Sequence, residues 1–138
     1  MGIASLCEVH DHEPIWAHYA DQFRGMCVKY SLRRLLNGLS NKISVTRMMY
    51  PEVEPVLLNE KSMSADRDRL CLSSKSVRWA NEREWRIFSL EKGKAEYEEM
   101  KTIARIYLGS RISPGDESRI RAAGATLSVP VAKMAVAA

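Results

Sequence analysis

The run EREWRIF, Glu82 to Phe88, sets two carboxylates and two guanidiniums around a tryptophan. In an extended chain, alternate side chains share a face, so Glu82, Glu84 and Arg86 project together and Phe88 and Leu90 continue the row. That face passes from polar to apolar, as at the rim of a cleft, while Trp85 and Ile87 turn the other way into a core. Two opposed chemistries suit it. A glutamate against apolar surface has a raised pKa and serves as an acid or base; beside Arg86 it stays ionised. The plain alternative is a cross-strand salt-bridge ladder.

A second group lies in WAHYADQFRG. His18 sits beside Ile15 on a helix, and Tyr19 shares the apolar face with Ile15, Trp16 and Phe23. An imidazole and a phenol at the edge of a core can hydrogen-bond a ligand and stack on it. The bland counterpart is a half-buried histidine that satisfies a backbone carbonyl. Near the C-terminus, Arg111 precedes a helix start whose N–H groups suit an anion, although Asp116 and Glu117 already occupy that positive end. Cys7, His10, His12 and His18 are close in sequence, yet no pair has zinc-ligand spacing, and no metal is expected. A G-x-S-x-G elbow, a Walker loop and a dinucleotide glycine loop are all absent from the sequence.

These residues need elements to hold them. Ile3 to Cys7 reads as a short strand. HDHEPIWAHYADQFRG reads as a helix capped by Asp11, with Pro14 in its first turn and Gly25 as its stop. MCVKYSL alternates as a strand with one buried face. RRLLNGL is a turn of helix ending at Asn37-Gly38. KISVTRMMY is a strand closed by Pro51 and Pro55. A helix follows from Ser64 to about Ser74, capped by Ser64. Glu84 to Leu90 and TIARIYLG are strands. SPGDESRIRAAG is a helix with Ser113 as cap, Pro114 first and Gly124 as its end. TLSVPVAKM is a last strand, placed at an edge by Pro130. The order predicts an α+β fold: a mixed, largely antiparallel sheet packed by two or three helices.

At 138 residues, 46% hydrophobic and 28% charged, the sequence suits a single globular domain, 1–138. The +4 net charge is small and scattered, which permits an anionic small molecule and argues against duplex DNA. Three widely spaced cysteines argue against a disulfide framework, and the start MGIASLCEVHDHEP is not a secretory signal. With no apolar run of bilayer-spanning length, the expectation is a cytoplasmic protein that does not enter a membrane.

Four blocks in order carry a resemblance: Trp16-Ala17-His18-Tyr19-Ala20, then Gly25-Met26-Cys27, then Trp79-x-x-Glu82-x-Glu84-Trp85-Arg86, then Ile106-x-Leu108-Gly109. From about Ser5 to about Ala123 the chain resembles a bacterial family catalogued as domain of unknown function 2971. Family members usually carry an upstream Tyr-Arg strand and an F-N-D-P loop. Neither precedes Ile3 here, so the resemblance implies a C-terminal portion of such a protein. It brings no established activity.

Two functions are expected from this residue set. One is a nucleotide-handling site like that of ADP-ribosyl transferases, with NAD as the cofactor. Glu84 would stabilise an oxocarbenium-like transition state, His18 would contact ribose and Tyr19 would supply a ring. Trp16, Arg24, Trp79, Glu82 and Arg86 would bind the substrate. The other is a non-catalytic interaction domain whose polar cluster is structural and whose aromatic face packs a protein partner or the missing N-terminal segment. The first requires the late acids and the His18–Tyr19 pair to meet across one sheet and wall a shared cavity.

Overall fold

The computed structural model of the chain describes residues 2–53, 69–94, 96–97 and 101–135. Its strands are β1 (Gly2–Cys7), β2 (Met26–Tyr30), β3 (Ile43–Arg47), β4 (Glu84–Ser89), β5 (Ile103–Leu108) and β6 (Val131–Lys133). Helix α1 spans Glu13–Tyr19, α2 spans Leu32–Gly38 and α3 spans Pro114–Thr126; a 3-10 helix covers Val77–Glu82. The strands divide into two three-stranded sheets, ordered β1-β4-β3 and β2-β5-β6. The fold is α+β as expected, but its strands serve two sheets.

The chain forms two compact units, Met1–Val9 with Asn41–Lys94 and His10–Ser40 with Ala95–Ala138. The first holds the wholly antiparallel sheet, with β4 in the middle. Residues opposed across an antiparallel pair share a face. The register therefore aligns Ile3, Ser5 and Cys7 of β1 with Phe88, Arg86 and Glu84 of β4, and Ser44 and Thr46 of β3 fall on the same side. Glu84 and Phe88 are both buried on this face, so its polar-to-apolar gradient is real. Trp85 and Ile87 turn to the other face and are only half-buried. The Trp85 indole N–H instead donates to Glu8 Oε1 at 2.9 Å. Leu90 lies beyond the strand and is exposed. Of the helix expected from Ser64 to Ser74, residues 69–72 are helical; its Ser64 cap, like Pro55, lies outside the described residues.

In the second unit, β2 pairs antiparallel with β5, and β6 pairs parallel with β5. A parallel partner needs a crossover, which α3 supplies. The core gathers Ile106, Leu108 and Ile112, with Ile103, Ile120, Val129 and Val131 against them. Helix α3 starts as its sequence requires: Ser113 Oγ accepts from Asp116 N at 3.1 Å, Pro114 opens it, and Asp116 and Glu117 fill its first turn. Gly124 does not stop it. A Cβ there would overlap the Val131 side chain, so this glycine lets β6 pack on the helix while α3 runs on to Thr126. The strand expected over TLSVPVAKM is shorter: Thr126 ends α3, and β6 begins at Val131 just after Pro130, at the sheet edge as expected.

Two expectations for α1 are corrected. Its N-cap is His12, with no side-chain cap bond, instead of Asp11, and it ends at Tyr19, well short of Gly25. Asp21, Gln22 and Phe23 follow at φ 47, 51 and 68. Left-handed residues cannot extend a right-handed helix. The turn instead brings the Phe23 ring onto Trp16, with centroids 6.1 Å apart and planes 6° from parallel. Trp16 and Phe23 therefore supply the apolar contact, and Tyr19, expected on that face, is 68% exposed. In β2, Met26 is likewise exposed, so the strand lacks a uniformly buried face.

Candidate functional site

The acids do not lie in one strand row. Glu82 ends the 3-10 helix, and Arg83 follows at φ 45, in the left-handed region. This reversal turns the chain into β4 with both carboxylates directed at one ammonium. Lys75 Nζ lies 2.5 Å from Glu82 Oε2 and 3.2 Å from Glu84 Oε2. Arg86 Nε donates to Glu84 Oε1 at 2.8 Å, and its Nη1 donates to the Leu72 carbonyl at 2.5 Å. The Tyr50 hydroxyl accepts from Glu84 N at 2.8 Å. Lys75 also stands 4.9 Å above the Trp79 ring.

Two carboxylates and two cations make the network neutral. Such pairing is what allows Glu82 and Glu84 to be buried, at 7% and 6% exposure. Burial alone would raise the Glu84 pKa; hydrogen bonds from Arg86, Ser5 and Lys75 outweigh it and hold the carboxyl below its ordinary range. For Lys75, burial pulls the pKa down, and the bonds to Glu82 and Glu84 more than restore it, leaving it raised. Of the two effects weighed for Glu84, ionisation by neighbours wins over desolvation. An ionised Glu84 is a poor general acid, and its lowered pKa makes it a weak base near neutral pH.

Lys75 and Tyr50 carry this site, and neither was singled out in the sequence. Charge balance holds the signal for Lys75: two buried acids with Arg86 leave one negative charge unmatched, so a second cation must approach. Nothing local marks Tyr50, which arrives from beyond the end of β3.

The other candidates belong to the second unit. Trp16 is buried, and its Nε1 donates to the His10 carbonyl at 2.6 Å. His18 and Tyr19 are exposed in the last turn of α1, their rings edge to face with centroids 6.3 Å apart. Arg24 binds Asp21 through Nε at 3.0 Å and Nη2 at 3.1 Å. The structure thus gathers Trp79, Glu82, Glu84 and Arg86 in one unit around Lys75, and Trp16, His18, Tyr19 and Arg24 in the other around α1 and its turn. Among the described residues the strands make two sheets, in place of the single one expected to bring both sets together. At the helix α3 start, Ser113 already caps Asp116 N, and the Asp116 carboxylate pairs with Arg119.

Two three-stranded sheets, their helices and a buried neutral ion network define a small α+β protein. The family described as Protein of unknown function (DUF2971) matches residues 15–87, just over half of the chain, and the chain belongs to that family. The match takes in all eight candidate site residues; Leu108 and Gly109 lie beyond it. No curated protein and no solved structure matches the chain.

Proposed function

We propose that this chain is a non-catalytic interaction domain whose Glu82–Glu84–Arg86 cluster is structural. The observation that carries this reading is the occupancy of Glu84: Oε1 accepts from Arg86 and Oε2 from Lys75, with Ser5 adding a further bond. A carboxylate has about four acceptor sites, and with three taken inside the protein Glu84 has little left to hold a ribose. Apolar surface supports a protein partner. Among the described residues, twelve large apolar side chains are exposed and eight are buried. Single exposed apolar groups are ordinary, but Leu32 and Leu36, one turn apart on α2 and both exposed, form an apolar stripe of the kind a partner covers.

A nucleotide-handling, ADP-ribosyl-transferase-like site is the second reading. One observation favours it: Glu82 and Glu84, an E-x-E pair, bring both carboxylates to the same ammonium. Substituting Glu84→Gln separates the two. In the structural reading it leaves a half-buried cation uncompensated and lowers stability by about 2 kcal/mol, between the losses for exposed and fully buried pairs. Adding Arg86→Gln restores part of that loss, because Lys75 and Glu82 still balance. Denaturant unfolding measures both variants. Incubation with NAD releases no nicotinamide in this reading. Release by the unaltered chain, lost in a folded Glu84→Gln variant, would overturn it and establish the enzyme.

A further inference from the structure

We infer that the outer edge of β1 is a self-association surface, on which a second copy of this chain adds its own β1 antiparallel. The inference goes beyond the role of the ion network and concerns the backbone edge of the same sheet.

Sheet edges offer unpaired N–H and C=O groups, and chains that must not pair there protect them with charge, proline, bulges or short length. Three of the four edges here carry such protection. β6 is three residues long, follows Pro130 and ends in Lys133. β2 carries exposed Lys29 and a register shift between Lys29 and Tyr30. β3 ends in Arg47, and its continuation is covered where Met49 N donates to the Ser73 carbonyl and Lys75 N to the Met49 carbonyl. β1 has none of these devices. Its six residues, GIASLC, contain no charge and no proline, and they run against β4 without a register shift. Ile3, Ala4, Ser5 and Cys7 are exposed. Among the described residues, no strand pairs with its outer side.

The same contrast selects the occupant. β3, charged at Arg47 and covered along its continuation at Met49, is a poorer mate for β1 than a second β1, so head-to-tail growth is disfavoured. Edge-to-edge pairing of two β1 strands is isologous and closes at a dimer. An uncharged strand meets its own copy without repulsion. A two-fold axis between antiparallel neighbours must stand perpendicular to the sheet, which keeps like faces together. Only residues of the same parity then oppose each other. Centred on Ala4 or on Ser5, this pairing sets the two Ala4 residues directly opposite or one diagonal step apart on one face. It makes a six-stranded sheet, β3-β4-β1 followed by β1-β4-β3 of the partner.

Sedimentation over a dilution series tests the pairing. The unaltered chain shows a monomer–dimer equilibrium. Ala4→Lys weakens the dimer about fivefold, because like charges then stand near each other across the pair. An equal mixture of Ala4→Lys and Ala4→Glu recovers it. Backbone amide exchange of the unaltered chain gives a readout independent of any variant: outer-edge amides between Gly2 and Cys7 slow as concentration rises. A monomer at every concentration, a dimer indifferent to Ala4→Lys, or exchange in β1 that ignores concentration would each overturn the proposal. Because these readouts involve neither NAD nor Glu84, their failure leaves the reading of the ion network intact.

Discussion

Gly109 shows how much one missing side chain decides. A Cβ at this position would overlap the carbonyl of Phe23 and crowd that of Gly25, both backbone atoms that cannot swing aside. The space is needed because Gly109 N donates to the Gly25 carbonyl at 2.9 Å and Arg111 N to the Phe23 carbonyl at 3.0 Å. Those bonds hold the left-handed run Asp21–Phe23, which as non-glycine residues resists its own conformation by about 1–2 kcal/mol per residue. Gly109→Ala therefore forces apart β5 and the turn after α1 and lowers unfolding stability by about 3 kcal/mol, the upper end for an overpacked site. Denaturant titration of the variant checks this; an unchanged midpoint would mean that the close approach is not maintained in solution. The glycine was legible as part of a motif, but its reason was not. The clash partner is more than eighty residues earlier in the chain.

Among the elements, α3 was the most legible. Cap, first-turn proline and first-turn acids act over a few residues, so their physics is local. Ser113→Ala removes the bond to Asp116 N and lowers stability by about 1 kcal/mol, whereas Ser113→Asp keeps an acceptor there and holds most of it. Chemical denaturation of the two variants provides the comparison, and equal losses would dismiss the cap. The end of the same helix was misread for a non-local reason: Gly124 looks like a stop, yet it serves packing against Val131. Helix α1 fails in the same way. Its apolar spacing continues to Phe23, but the backbone turns left-handed after Ala20 and Phe23 reaches Trp16 by another route.

Over the whole molecule, acid sensitivity follows from the lowered carboxyls. Glu84 is held down by Arg86, Ser5 and Lys75 against its burial, Asp116 by Ser113 and Arg119, Glu117 by Lys133 and Arg121, and Asp21 by Arg24. A group whose pKa is lower folded than unfolded stabilises the fold above its unfolded value. It withdraws that contribution as pH falls through its folded value. Stability should therefore fall as pH drops below the ordinary carboxylate range, near pH 4. Glu84→Gln should flatten part of that slope. Thermal unfolding across the acid range measures it, and a slope unchanged in the variant would remove Glu84 from the cause. Lys75, raised by its carboxylate partners against burial, adds the mirror effect: its share is present below the ordinary lysine range and is lost only as pH rises through its elevated value. The sequence by itself determined the family, the α+β class, the first five strands near their true ends and the acids and arginine of the ion network, because alternation, capping and motif spacing act within a few residues. Only the tertiary structure decided that these strands make two sheets, that Lys75 and Tyr50 complete the network, and that Glu84 is ionised with both oxygens engaged. Pairing partners and burial depend on segments far apart in the chain, and whether a carboxylate keeps its charge depends on which cations those segments bring to it.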